Sequence, residues 1–187
     1  TKVVLRAVRR RGHSVASVER DRLPTQDELD RMYAYWRDGK TRLPMEELCK
    51  FAIASCMRQA EITRVTYEDL DRDSKTIVIR ERKNPRQKLD EVVPLIGEAW
   101  AILDGKTGTG RIYPYDPQSI SSRFTRTCRE LGIDDLHFHD LRHLGITNLF
   151  KMGLSIQHVA VVSGHKSWTH LKRYTQIRAT DVHAALE

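Results

Sequence analysis

Apolar residues recur at helical spacing over most of this chain and change to a strand-like pattern in its middle. The first clean signal is Leu23-Pro24-Thr25-Gln26-Asp27-Glu28, where Thr25 can cap a helix and Glu28 can reach back to it. Leu29, Met32, Tyr33 and Trp36 then share one face, so a helix and the folded domain begin here. Pro44 opens a second helix with Leu48, Cys49, Phe51, Ala52, Ile53 and Cys56 inward, and its pattern runs on through Arg58 and Glu61 to Ile62. From Lys75 the pattern becomes strand-like, Thr76-Ile77-Val78-Ile79-Arg80, then a polar turn spans 83–88, and Val92, Val93 and Leu95 follow. That is a β-hairpin, preceded by a short strand near 66–70. Further helices are predicted at 99–103, at 118–131 with Ile120, Phe124, Cys128 and Leu131 inward, and at 139–152, ended by Gly153. Two more follow at 156–162, capped by Ser155 and ended by Gly164, and at 168–174. The expected fold is mainly α with a small antiparallel β-sheet (α+β).

Length and charge refine this picture. The 187 residues suffice for one domain with a real core. The first residue is Thr1 rather than Met, consistent with a segment of something longer. No apolar run approaches a membrane span and no secretory signal is visible, and the three cysteines lack metal-ligand spacing, so a reducing, cytoplasmic setting is expected. The net charge is +7, of which residues 1–22 carry seven Lys/Arg against two acids. They read as a basic linker or arm, 23–177 as the main domain, and 178–187 as a tail helix with Ala179, Val182 and Leu186 on one face. The body is close to neutral, so any polyanion must meet a local patch; Arg123, Arg126 and Arg129, at three-residue steps, are the candidate phosphate stripe. Gly105 to Gly110, G-K-T-G-T-G, lacks the spacing and leading strand of a phosphate-binding loop and reads as a plain loop.

The densest chemistry lies between His137 and Tyr174. His139 and Arg142, three apart on a helix, face one spot; His165 follows a helix-ending glycine; Tyr174 comes nine residues later. Arg58 and Glu61 share a face, which on these residues alone reads as a surface ion pair. His137, His139, His143 and Asp140 can be written as metal ligands, but on a helix Asp140 points away from the His139/His143 face, and two arginines nearby oppose a dication. Asp140 reads better as a helix-start cap, and an isolated tyrosine is usually a partly buried one. Gathered around that tyrosine, however, the set suits attack of a phenol oxygen on a phosphodiester. Two arginine forks meet the added charge of a phosphorane, a histidine accepts the phenolic proton, and Lys83 in the hairpin can protonate the leaving oxygen.

Arg58 with Glu61, Lys83 in a hairpin, His139-Asp140-Leu141-Arg142-His143, Ser163-Gly164-His165 and Arg173-Tyr174-Thr175 together resemble the tyrosine recombinase (phage-type integrase) family, from about Leu23 onward. The resemblance implies that Tyr174 is a nucleophile forming a 3′-phosphotyrosyl link. It implies that Arg58, Arg142 and His165 clamp the scissile phosphate, that His139 accepts the proton, that Lys83 (or Lys88 across the turn) is the general acid, and that Glu61 supports them. It further implies double-stranded DNA sites as partner, a tetramer with exchanged tails, no metal, nucleotide or other cofactor, and a separate DNA-encircling domain ahead of this one. A tyrosine-type topoisomerase, a DNA-binding module without chemistry and a metal-dependent nuclease are the competing readings.

Overall fold

A computed structural model describes residues 21–39, 41–82 and 89–175. The capping box read from Thr25 and Glu28 is in place, with the Glu28 amide donating to Thr25 Oγ1 at 3.2 Å and the Thr25 amide to Glu28 Oε2 at 2.8 Å. It starts α1 (Gln26–Asp38), whose Leu29, Met32, Tyr33 and Trp36 are buried. α2 (Met45–Ser55) buries Met45, Leu48, Cys49, Phe51 and Ala52 but stops earlier than its pattern suggests. Cys56 adopts a left-handed conformation (φ 53°), and a separate short helix, α3 (Gln59–Ile62), restarts after it. Neither Gly nor Pro announces that break.

The sheet is a three-stranded antiparallel meander, β1 (Leu70–Asp71), β2 (Thr76–Arg82) and β3 (Leu89–Pro94). The first strand is shorter and later than expected from the sequence: Tyr67–Asp69 form a 3-10 turn, and Thr66 instead bridges Arg111. β2 and β3 start in register at Thr76 and Pro94, and one extra β2 residue is accommodated between Ile79 and Arg82. α4 (Glu98–Leu103) and α5 (Pro117–Glu130) follow; the Gly105–Gly110 stretch between them is a loop pinned where the Gly110 amide donates to Glu68 Oε1 at 2.9 Å. α6 (Asp140–Lys151) and α7 (Ile156–Ser163) complete the helices, and the segment expected as one helix to Tyr174 is two 3-10 turns, Trp168–His170 and Lys172–Tyr174.

Two apolar clusters hold these elements. The larger joins α1, α2, α4, α5 and the sheet through residues such as Phe51, Phe124, Ile77, Ile79 and Leu141. The smaller joins α6 and α7 through Ile146, Leu149, Val159, Val162 and Leu171. α6 contributes to both, so it has no single apolar stripe and buries Arg142 between them. Its approach to α2 is set by Gly145, where a Cβ would lie 2.1 Å from the Ile53 carbonyl oxygen. The three cysteines are free and buried, and no helix among the described residues is long and apolar enough to cross a membrane.

Candidate active site

The break after α2 builds the first half of the site. Turning left-handed, Cys56 presents its carbonyl to Arg142 Nη1, and the chain then delivers Arg58 to the capping position of α3. Glu61 closes on Arg58 from within the protein: Oε2 accepts the Arg58 amide at 2.8 Å and Oε1 accepts Arg58 Nη1 at 2.7 Å. Glu61 is only 3% exposed, so this is not the solvated surface pair that the spacing alone suggests. Burial by itself would raise its carboxyl pKa, but Arg82 and the Arg58 amide and guanidinium outweigh that and hold it below its ordinary value.

Arg142 is buried as well. Its Nη2 donates to the Ser163 carbonyl at 2.8 Å and lies 3.5 Å from His165 Nε2. Burial, with Arg58 close by, lowers its pKa to about 10, which still leaves it charged at neutral pH. His165 is presented by Gly164, left-handed at φ 67° as the cap of α7. Ser163 Oγ donates to the Val159 carbonyl at 2.6 Å, so at 2.7 Å from His165 Nδ1 it must accept, which places the imidazole proton on Nδ1. Nε2 therefore faces Arg142 with its lone pair. Burial, Arg142 and Arg58 push His165 down to about 3, so it is neutral in the free protein.

Tyr174 belongs to a second group on the neighbouring face of α6. Its ring lies near-parallel to His143 (centroids 6.2 Å, 26°) and Phe150 (6.1 Å, 16°), with the Arg173 guanidinium 5.7 Å from its centre. Its hydroxyl is hydrogen-bonded to His143 Nδ1 and, among the described residues, to none of Arg58, His139, Arg142 or His165. Burial raises the phenol pKa despite Arg173 and Arg142, while burial, His139 and Arg173 bring His143 down to about 4. The imidazole beside the phenol is thus neutral near neutral pH. His143 had no place among the catalytic residues expected from the sequence, where His139 took the role of proton acceptor. His139 is instead behind His143, edge-on at 5.1 Å, its own pKa lowered by surrounding protein and by Arg142. No local spacing links His143 to its partner 31 residues away, which is a tertiary fact.

The remaining expected residues divide. Asp140 is fully buried and accepts the His137 amide at 2.9 Å, a turn-closing role that fits its reading as a helix-start residue. Among the described residues, no group of three or more His, Cys, Asp or Glu is placed to share a metal ion. On α5, Arg126 is paired with Glu130 at 2.8 Å, Arg123 lies over Tyr35 of α1 at 5.7 Å, and both Arg126 and Arg129 are exposed. Lys83, Lys88, the arm up to residue 20 and the tail from residue 178 lie outside the described residues.

Comparison with known proteins identifies the family and the fold. Residues 22–181 match the phage integrase family. The shufflon-specific DNA recombinase of Escherichia coli is 32% identical over 171 residues, 90% of this chain and 43% of that protein. The tyrosine recombinase XerA of Saccharolobus solfataricus is 25% identical over 130 residues, 67% of this chain and 43% of its own length. The chain thus spans less than half the length of these two relatives. Among solved structures, the Tn1549 transposon integrase in complex with a circular intermediate DNA superposes with a TM-score of 0.70 at 14% identity, covering 92% of this chain and 67% of that one. The fold is that of tyrosine recombinase catalytic domains, and the chain belongs to the phage integrase family.

Proposed function

We propose that this chain is the catalytic part of a site-specific DNA recombinase that cuts and rejoins strands through a 3′-phosphotyrosine at Tyr174. The observation that carries the reading is the meeting of Arg58, Arg142 and His165, from three separate elements, with Tyr174 on the neighbouring face of α6, its hydroxyl bonded to the neutral imidazole of His143. In the forward step the Tyr174 oxygen bonds to phosphorus and the bond to the 5′ oxygen breaks. The phenolic proton goes to the His143/His139 pair, and Lys83 supplies the proton that the 5′ oxygen takes. Arg58 and Arg142 meet the charge on the non-bridging oxygens with fixed guanidinium donors. An arriving phosphate favours the charged form of His165, which then donates from Nε2 as a third partner. Because the phosphotyrosyl bond stores the energy of the broken one, rejoining needs no nucleotide, and the cationic clamp stands where a metal would otherwise act.

The relatives named as recombinases favour strand exchange over resealing of the same strand, so recombination at double-stranded DNA sites of a mobile element is the preferred reading over a topoisomerase. A tetramer with exchanged tails fits a groove of about 440 Å³ between β3 and α7, rimmed by the exposed Val92, Val161 and Trp168. The apolar positions Ala179, Val182 and Leu186 of a neighbouring tail have the matching chemistry. The test is a nicked duplex that traps the intermediate. A protein–DNA adduct should form in the presence of chelator and vanish in Tyr174→Phe; an adduct that needs a divalent metal, or survives Tyr174→Phe, overturns the reading.

A further inference from the structure

Arg82 is a buried arginine that strand periodicity places on the wrong side. Ile77 and Ile79 point into the core, so strict alternation would turn Glu81 inward and Arg82 to solvent. The structure reverses this. The extra residue between Ile79 and Arg82 shifts the phase, Glu81 takes a left-handed backbone (φ 46°), and its amide donates to Asp90 Oδ1 at 2.9 Å. A left-handed non-glycine residue costs about 1–2 kcal/mol, so the bulge is maintained against its own strain. The outcome is an arginine only 4% exposed, which cannot itself reach DNA.

Its contacts converge on the parts that hold the phosphate clamp. Nε and Nη2 donate to Glu61 Oε1 and Oε2 at 3.1 and 3.3 Å, Nη1 to Glu91 Oε2 at 3.0 Å, and Nη2 to the Ser163 carbonyl at 2.9 Å. Glu61 is the anchor of Arg58, and the Ser163 carbonyl is also the acceptor of Arg142. Gly164 makes room for this approach, since a Cβ there would sit 2.0 Å from the Arg82 guanidinium carbon. Arg82 also decides how Arg58 is held. It occupies both Glu61 oxygens, Oε2 together with the Arg58 amide, and among the described residues the Arg58 side chain makes one hydrogen bond, from Nη1, with the rest of its fork unspent. An arginine facing an unshared carboxylate prefers the two-bond fork-to-fork pair.

We infer that Arg82 is a positioning residue that keeps Glu61 from capturing Arg58, so that the Arg58 fork stays directed at the scissile phosphate. The inference rests on the reading of Arg58, Arg142 and His165 as the phosphate clamp. Removal of Arg82 lets Arg58 fold bidentately onto Glu61, and the loss appears in the chemical step rather than in DNA affinity. Arg82→Met leaves both carboxylates with a cation, Glu61 with Arg58 and Glu91 with Lys166, so the variant retains its paired charges.

The experiment uses the full chain and nicked duplexes with a randomised core, enriched by covalent capture on the unaltered protein. Single-turnover adduct formation at saturating protein and DNA affinity are measured for Arg82→Met, Glu61→Gln, the double variant and Arg58→Ala. Arg82→Met should slow adduct formation by about 100-fold, the scale of a misplaced catalytic group, with affinity little changed. Adding Glu61→Gln, which weakens the capturing anion, should recover roughly tenfold of that loss, a coupling opposite in sign to two merely structural defects. A normal rate in Arg82→Met, or a double variant slower than either single one, overturns the inference. If Arg82→Met does not fold, Arg82→Lys takes its place: it keeps the charge but replaces the planar fork that spans both Glu61 oxygens with a single nitrogen, and the same rescue is required of it. If the unaltered protein forms no adduct, or Arg58→Ala forms it at full rate, the clamp reading fails instead.

Discussion

Replacing Gly145 with alanine tests whether the α2–α6 contact fixes the position of Arg142. The added Cβ would stand 2.1 Å from the Ile53 carbonyl oxygen, 3.1 Å from the Ile53 carbonyl carbon and 2.8 Å from Cys56 Sγ. The nearest atoms belong to the Ile53 backbone, which no rotamer change can move, so α6 must retreat by about 1 Å to reach ordinary contact. Overpacking of this kind costs about 1–3 kcal/mol, and the rigid neighbours place it at the upper end. The better helix propensity of alanine returns up to about 1 kcal/mol, leaving a net loss of about 2 kcal/mol. Arg142 lies one turn away on α6 and donates to the carbonyl of Cys56, so the retreat of α6 stretches that contact. A shift of about 1 Å there should cost roughly 100-fold in the cleavage step. Urea unfolding and single-turnover adduct formation at saturating DNA measure the two effects. A variant as stable and as fast as the parent would refute the claim that this close crossing sets the clamp.

Three further outcomes are expected. Tyr174→Phe keeps its stacking on His143 and Phe150 and loses a single hydrogen bond, so its urea stability should fall by no more than about 1 kcal/mol; a larger drop would mean that its loss of activity is partly unfolding. His143 and His165 have folded pKa values of about 4 and about 3, below the ordinary 6.5, so each contributes stability that is complete above pH 6.5 and lost as pH falls through those values. The urea midpoint should therefore decline below pH 6.5, and His143→Gln should flatten the decline between pH 6.5 and 4; parallel curves would contradict this. Glu61→Ala removes a buried anion that faces two arginines and should cost about 3 kcal/mol, with Arg58 free to resolvate and Arg82 still holding Glu91. A loss below about 1 kcal/mol in denaturant unfolding would show that the pairing is worth little.

What the sequence made legible was local in origin. The Thr25/Glu28 box, the alternation of Ile77 and Ile79 and the caps at Ser155 and Gly164 each depend on neighbours a few residues apart, and each is present. The residues proposed as a phosphate clamp come from family resemblance, and the structure brings Arg58, Arg142 and His165 near one another. The misses arise where tertiary structure decides. Cys56 turns left-handed without a glycine to mark it, with its carbonyl held by Arg142 from another element. Arg82 points inward because a bulge shifts the strand phase, which periodicity reads with the opposite sign. The contact of His143 with Tyr174 is invisible in the sequence, because nothing local links that histidine to a tyrosine on a different turn.

The most direct test of the account is the identity of the covalent link. Nicked DNA incubated with the protein in excess chelator, digested with protease and nuclease, should yield one modified peptide carrying a 3′-nucleotide on the Tyr174 oxygen, with a free 5′-hydroxyl on the released strand. A 5′ linkage, a different residue, or cleavage without any protein-linked nucleotide would contradict it.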